Sequence, residues 1–407
     1  MRASQWFSLT AALTIVLLLG SAPKLAAQTT QMPPPSEVEL LAGPVTLYPS
    51  IVLRDVGFDS NLGNDPDEPK EDFTLTAQPR LRAAVPFGST LFTASATVGL
   101  VYFATYKDQQ SINRLFEGRL EGATWRLRPF LAAAHNHTNE RAGYEIDARV
   151  LRQEATVSGG GELKFSGITS LTGFYRHSTH DFGDDERFLG TVLANQLDHT
   201  ADVASVGARY AVTPLTTITL DVEAQRDRFD TSAIRNADSV RVVSGAQFSP
   251  DAMLKGGFAV GYREFNPQAP VLPKYRGLVG SVGLAYTLHD ATVFRVEATR
   301  DVEYSFEPTT PYYLLTTGRL TLSQRIVGPC EVIALGGQDK LQYQGVEGSA
   351  MSGRVDRTLT VGGGVGFRLS PTMRLAVIYD YAERVSNQLD RRAYLRRRVF
   401  ASAIYGQ

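Results

Sequence analysis

The stretch that decides the fold runs from Val355 to Arg384: VDRTLTVGGGVGFRL, then Ser370-Pro371-Thr372, then MRLAVIYDYAER. In the first arm Val355, Leu359, Val361, Val365, Phe367 and Leu369 share one face, and Asp356, Thr358, Thr360, Gly362, Gly364, Gly366 and Arg368 share the other. In the second arm Met373, Leu375, Val377, Tyr379 and Tyr381 oppose Arg374, Ala376, Ile378, Asp380 and Arg384. A period of two makes both arms strands. Long arms, a tight turn and one apolar face with aromatics near its end form the hairpin pattern of a membrane-spanning β-barrel.

The same device recurs from near residue 45 to the end of the chain. Phe73, Leu75, Ala77, Leu81, Ala83 and Val85 oppose Thr74, Thr76, Gln78, Arg80 and Arg82. Ile218, Leu220, Val222 and Ala224 oppose Thr217, Thr219, Asp221, Glu223 and Gln225. Short turns are expected at Pro86–Ser89, Arg128-Pro129, Ser166-Gly167, Thr213-Pro214, Ser249–Asp251, His289-Asp290, Gly328-Pro329 and Ser370-Pro371. They alternate with mostly longer, more polar loops near residues 59–71, 107–111, 139–149, 181–196, 230–237, 265–275, 305–311, 344–352 and 385–392. Eight turns and nine loops give about 18 strands, an even number that brings both ends of the barrel to one side. The segments near 130–140 and 329–343 alternate less cleanly, and a β-bulge is expected to shift the phase there.

The fold expected is all-β: a transmembrane antiparallel up-and-down barrel with short periplasmic turns and longer outer loops. A closed sheet of this size is too wide for side chains to fill. The apolar faces therefore point to lipid and the polar faces to a watery interior, and closure pairs every backbone group as lipid requires. Tyr102, Phe103, Tyr106, Tyr286, Phe367, Tyr379, Tyr381 and Tyr405 fall toward strand ends, as an interfacial girdle would. Stacked soluble sheets or a propeller are the alternative, and they call for shorter strands.

Upstream of the strands, residues 1–27 carry a basic start at Arg2, an apolar run from Ala11 to Leu19, and Leu25-Ala26-Ala27 before Gln28. That is the grammar of a cleaved secretory signal. Residues 28–44, with a triple proline, are expected to form an extended periplasmic segment, leaving 45–407 for the barrel. The formal net charge of −1 argues against a nucleic-acid partner. Cys330 is the only cysteine, so no internal disulfide can form. An exported chain of alternating strands belongs in the outer membrane of a Gram-negative cell, with its lipid and lipopolysaccharide as surroundings.

At this point the chain resembles the outer-membrane β-barrel porin families of Gram-negative bacteria, most of all the exopolysaccharide-associated type. Val56-Gly57-Phe58-Asp59-Ser60-Asn61-Leu62 is similar to that family's Gly-x-Asp-x-Asn segment. Val399-Phe400-Ala401-Ser402-Ala403-Ile404-Tyr405 alternates toward a terminal aromatic, as barrels do for assembly, although Gly406 and Gln407 follow it. The resemblance implies a passive conduit for small solutes, or a component of exopolysaccharide export. A non-conducting structural or surface-binding barrel is the other reading of the same residues.

Several groups are candidates for chemistry. Arg80, Arg82, Glu117, Arg119, Glu121, Asp221, Glu223, Arg295, Glu297, Arg319 and Arg374 sit mid-strand on polar faces, where they would line a lumen and set its selectivity. As a structural alternative, they form cross-strand ion pairs that stiffen the wall. Their mixed signs predict weak ion selectivity. His135 and His137, and His177-Ser178-Thr179-His180-Asp181 leading into Asp184, Asp185 and Glu186, could bind a divalent metal. The acidic loop Asn64–Asp72 could hold calcium, although no EF-hand spacing is present. Solvated loop residues are the simpler account of both. Arg391, Arg392 and Arg397 could fork onto lipopolysaccharide phosphates, while alternation sends Arg396 and Arg398 inward. The triplets Gly159–Gly161 and Gly362–Gly364 lie inside strands and are bends or thinly lined wall, not phosphate loops. There is no Gly-x-Ser-x-Gly elbow and no Ser–His constellation, so no enzyme and no cofactor are expected.

Overall fold

Eighteen long strands carry the chain once around a closed wall. In chain order they are β1 Val45–Asp59, β2 Asp72–Phe87, β3 Thr90–Phe103, β4 Ser111–Gly122, β5 Leu127–Arg141, β6 Arg149–Lys164, β7 Thr169–Phe182, β8 His199–Thr213 and β9 Thr216–Phe229. Then follow β10 Ala237–Phe248, β11 Leu254–Pro267, β12 Tyr275–Leu288, β13 Thr292–Tyr304, β14 Tyr312–Val327, β15 Cys330–Gln344, β16 Val355–Ser370, β17 Met373–Ser386 and β18 Tyr394–Tyr405. The computed structural model describes residues 37–346, 348–349, 353–388 and 392–406. The expected signal at 1–27 and the lead-in up to residue 36 lie outside the described residues.

Every strand pairs antiparallel with the next, and β18 pairs with β1 from Ile51↔Tyr405 to Asp59↔Arg398. No strand edge is left along the mid-wall, which is what a lipid environment demands. The end of the lead-in does not stay extended. Gly43, at φ +61°, turns Leu40–Ala42 back onto Val45–Leu47 as a three-residue strand.

Two expectations are corrected. Arg128 and Pro129 do not form a turn: they lie in β5, and the turn spans residues 123–126. The phase shift is not inside 130–140 or 331–343: the first register is unbroken, and the second slips only at its hairpin end, where Arg325↔Glu331 is followed by Val327↔Cys330. It falls in β1, where Asp55 adopts φ +54° and the register slips against both β2 and β18. The blurred alternation in the other two segments comes from side chains of the wrong polarity. Outward His135 and His137 are polar, while inward Phe130, Ile333 and Leu341 are apolar and buried.

Contacts between strands that are not neighbours identify the inner face, because only a concave surface brings them together. Arg54 on β1 binds Glu140 on β5 at 2.7 Å, and Arg241 on β10 binds Asp301 on β13 at 3.1 Å. Following the register from these residues places Val206, Leu220, Val242, Val260, Val296, Val361, Val377 and Val399 on the outer face, all exposed. These are β-branched and leucine side chains that suit a pleated surface and meet acyl chains without cost. Tyr102, Tyr286, Phe367, Tyr379 and Tyr405 are also outward and exposed. Phe103 is the exception to the expected girdle: it points inward and is buried.

Gly364 shows why the wall needs glycine in the 362–364 triplet. A Cβ there would lie 2.1 Å from the Val377 carbonyl oxygen of β17, so no side chain fits without prising the strands apart. Its absence lets Ile333 of β15 and Ile378 of β17 close over β16 in an inward apolar cluster with Ala376 and Phe400. At this triplet the wall is thin, because the backbone of β17 leaves no room for a side chain at Gly362 or Gly364.

Candidate functional site: a roofed lumen

All eleven mid-strand charges singled out from the sequence lie on the inner face by register. They are spread around the wall and do not converge on one point. Arg80 pairs with Glu117 at 3.7 Å, and Ser95 Oγ also donates to Glu117 at 2.7 Å. Arg119 pairs with Glu121 two residues along β4 and lies over the Phe130 ring. Arg82 reaches Glu37 of the lead-in at 2.6 Å. Asp221 takes Arg209 at 2.8 Å and Glu223 takes Arg241 at 2.5 Å. Arg374 of β17 joins Glu331 of β15 across β16. Glu297 stands opposite Arg319 in the β13–β14 register, and Arg295 is level with Thr321. The wall is thus a set of cross-strand ion pairs exposed to the interior.

A different set converges, at the outer end of the barrel. The loop 142–148 between β5 and β6 folds into the lumen, and six charged side chains secure it. Glu307 is 3.6 Å from Arg354; Arg354 binds Asp356 at 2.6 Å; Asp356 binds Arg384 at 2.6 Å. Arg384 then reaches Asp147 at 3.1 Å, and Asp147 reaches Arg392 at 3.2 Å. The same two arginines donate to the loop backbone: Arg384 to the Tyr144 carbonyl at 3.0 Å and Arg392 to that of Glu145. Asp356, Arg354 and Arg384 are at most 1% exposed, so these are desolvated pairs whose signs alternate from wall to loop. Losing one partner of such a pair strands a buried charge.

A second element joins the roof. β13 pairs with β12 only as far as Gly280↔Arg300, yet stays with β14 to Tyr304↔Tyr312. Its free tip makes contacts on the inner face. Arg263 donates to Asp301 at 2.7 Å, and the Tyr304 hydroxyl donates to Asp227 at 2.7 Å. Ser305 and Phe306 at the tip donate to the Glu145 carboxylate at 2.7 and 3.1 Å. Phe306 packs with Ile146, Val150, Phe188, Leu193 and Leu197, so the loop 183–198 supplies an apolar cap over the same point.

The roof is electrostatically tuned by burial. Burial raises the Glu145 carboxyl above its usual range against the pull of its two donors. Burial, reinforced by the Asp339 charge, pushes the Tyr144 phenol up to about 12. Burial pulls Arg235, which donates to the Ser305 and Glu307 carbonyls at 2.9 Å, down to about 10. Below the loop lies a cavity of about 100 Å³ lined by Tyr144 and Asp147 from the roof, and by Arg319, Asp339, Asp380 and Arg398 from the wall.

The remaining candidates are placed as follows. His135, His137, His177 and His180 are in strands and not in loops. His135, His137 and His177 face outward, with His177 2.8 Å from Asp202; His180 faces inward, stacked on His199 at 4.5 Å. Among the described residues no group of three His, Cys, Asp or Glu side chains is arranged to hold a metal. The acidic loop spends its carboxylates on backbone: Asp65 accepts from Asp67 and Glu68, and Asp72 accepts from Phe73, Thr105 and Tyr106. Arg392 is buried in the roof and leaves the proposed phosphate set; Arg391 lies outside the described residues; Arg397 alone of the three is seen exposed. The Gly57–Asn61 segment seals the barrel. Gly57 would place a Cβ 2.0 Å from the Val399 carbonyl oxygen, Asp59 takes the Arg396 guanidinium, and Asn61 donates to Leu395 and Asp65 carbonyls.

Sequence reasoning missed Glu145, Asp147 and Arg384 because their partners are up to 247 residues away. The available signal was Tyr144-Glu145-Ile146-Asp147: an isoleucine between two carboxylates in a loop needs a dry neighbour, which a loop in water would not supply.

The geometry has its counterpart in known proteins. A family model described as "Putative beta-barrel porin 2" matches residues 37–404. No curated protein matches the chain. Among solved structures, OccK2 (OpdF) of Pseudomonas aeruginosa, in complex with glucuronate, is 10% identical with a TM-score of 0.50, over 88% of this chain and 98% of that one. A BenF-like porin from Pseudomonas fluorescens Pf-5 is 11% identical with a TM-score of 0.48, over 88% and 98%. Likeness at such identities is one of fold. The family match spans nearly all of the described residues, and the chain is therefore an outer-membrane β-barrel that belongs to the putative beta-barrel porin 2 family.

Proposed function

We propose that this barrel is a passive conduit for small polar solutes, which cross by diffusion with no bond made or broken. The path runs along the inner wall past Arg80, Arg82, Glu117, Arg119, Glu121, Asp221, Glu223, Arg295, Glu297 and Arg319, with Arg374 buried behind them against Glu331, and narrows beneath the 142–148 loop. The observation that carries this reading is the inner wall itself: a continuous charged lining would be costly to keep in a bore that excluded water. Purified full-length protein in a planar bilayer tests it. Stepwise single-channel conductance is the expected result, and a silent membrane containing folded protein overturns it.

The second reading, a non-conducting barrel, draws on one observation: the chain of buried ion pairs that pins the roof across the mouth. The same recording separates the two. A place in exopolysaccharide export is a finer form of the first reading and rests on the Gly57–Asn61 resemblance alone. The loop across the bore favours small solutes over a polymer. Loss of surface polysaccharide on deletion of the gene would reinstate the exporter. Export of the chain through a cleaved signal at 1–27 belongs to the same proposal, and an N-terminus at Gln28 in protein extracted from membranes is the expected finding.

A further inference from the structure

Among the described carboxylates that line the cavity, Asp339 is the one without a protein partner. It lies on the inner face of β15, opposite Thr317 and Thr358 in the register, and is 9% exposed. The other two carboxylates around the cavity are engaged: Asp147 with Arg384 and Arg392, and Asp380 with Arg398 at 2.6 Å. Asp339 makes no hydrogen bond or ion pair within 4 Å among the described residues, although the charges of Arg319 and Arg384 are felt there. Its oxygens therefore open only onto the cavity, and a carboxylate with so little access to water and no protein donor gains from a donor that comes to it. The cavity of about 100 Å³ beside it has room for a handful of heavy atoms. Its rim offers the Tyr144 and Tyr394 rings, apolar Leu335 and Ala382, and the Thr358 and Thr360 side chains.

We propose that this cavity is a binding subsite for solutes that carry a protonated primary amine, with the ammonium donating to Asp339 beneath the roof loop. An ammonium brings three donors to lone pairs that lack them. A carboxylate-bearing solute meets the opposite case, since the cavity's guanidiniums are already engaged: Arg396 and Arg398 by Asp59 and Asp380, and Arg319 by a contact of its own. The tyrosine rings suit the methylenes next to the amine, and an aromatic lining is compatible with a cation. The proposal deepens the conduit reading and rests on it for its meaning, because a subsite at the narrowing would select what passes.

The test is calorimetry on full-length protein folded in detergent micelles, with butylamine, 1-butanol and butyrate as probes. These share a chain length and differ in the head group. Butylamine is expected to bind about tenfold or more tightly than either of the others, the range of a charge-assisted bond. Asp339→Asn should erase that preference, Asp339→Glu should keep most of it, and Asp202→Asn on the outer face should leave it unchanged. Equal binding of the three probes to the wild type, or an amine preference that survives in Asp339→Asn, overturns the subsite. The wild-type comparison decides the matter even if Asp339→Asn fails to fold. Calorimetry needs no current, so the two proposals fail separately. A silent barrel that prefers butylamine loses the conduit and keeps the site; a conducting barrel that does not discriminate loses the site and keeps the conduit.

Discussion

Asp147 is held by two buried arginines, which makes it the residue on which the roof depends. Its two carboxylate oxygens divide Arg384 and Arg392 between them at 3.1 and 3.2 Å. Asp147→Ala leaves two guanidiniums in a dry space with one carboxylate, Asp356, to serve them. Breaking a buried pair in this way costs about 3–5 kcal/mol. The barrel itself does not depend on the loop, so the loss should be local. Amide hydrogen exchange of residues 142–148 is expected to quicken by about a hundredfold or more while β15–β17 stay protected. Asp202→Asn is the contrast, because the exposed pair with His177 is worth little. A second prediction concerns Asp198, just before β8. Burial, with the nearby carboxylates of Asp181, Asp230 and Asp184, pushes its carboxyl up to about 6. A raised folded value means that the protonated form stabilises the fold: the gain is full below the unfolded value near 3.9 and is lost as pH climbs through about 6. Asp198→Asn, which keeps an acceptor for the Phe182 amide at 2.8 Å, should therefore stabilise the 183–198 loop at pH 8. After discounting for partial exposure the gain is about 1 kcal/mol, and it should shrink as pH falls through about 6 and vanish by about pH 3. Protease nicking of that loop at the two pH values measures it.

At the scale of the strand, polarity and backbone geometry make separate demands, and only the first is written as an alternating pattern. The Val355–Arg384 hairpin was legible because its outward residues are mostly apolar and its inward ones, Ala376 and Ile378 apart, are polar or glycine. The β5 strand was not, because His135 and His137 face out while Phe130 faces in under the Arg119 guanidinium. Pro129 was read as a turn for a related reason. A proline inside a strand is uncommon, and nothing local shows that Gly122, whose Cβ would touch the Pro129 ring at 3.1 Å, makes the space it occupies. The close approach at Gly364 in β16 yields a sharp prediction. Gly364→Val drives a branched side chain into the β17 backbone, and the folded fraction, read as heat-modifiable migration on a gel, should fall to near zero. Gly318→Ala, at a site with nothing within 4 Å, should migrate as wild type. If both variants fold equally well, the close approach of β16 and β17 is wrong.

For the whole molecule, what could be read from the sequence was the wall, and what could not was the roof. Alternation is a local property, so eighteen strands, their closure and the inward face of all eleven charges follow from neighbours in the chain. The roof is assembled from residues 142–148, 183–198 and 301–315 with Arg384 and Arg392, and no local period records contacts of such span. This division sets two properties of any current the barrel carries. Selectivity belongs to the wall. Arg80 with Glu117, Arg209 with Asp221, Arg241 with Glu223 and Arg374 with Glu331 cancel pairwise, leaving little net field along the path. A reversal potential close to zero in a potassium chloride gradient is expected, and a strongly anion- or cation-selective channel contradicts that assignment. Conductance belongs to the roof. Replacing residues 143–147 by a two-glycine link removes Glu145, Ile146 and Asp147, which tie the loop to the β13–β14 tip and to Arg392. The eighteen-strand register lies outside that segment and should be untouched. Single-channel current should then rise severalfold because the width has changed, with only a small shift of the reversal potential toward anions from Arg384 and Arg392, which lose Asp147. A deletion that shifts selectivity but not current would place the narrowing in the wall instead of in the loop.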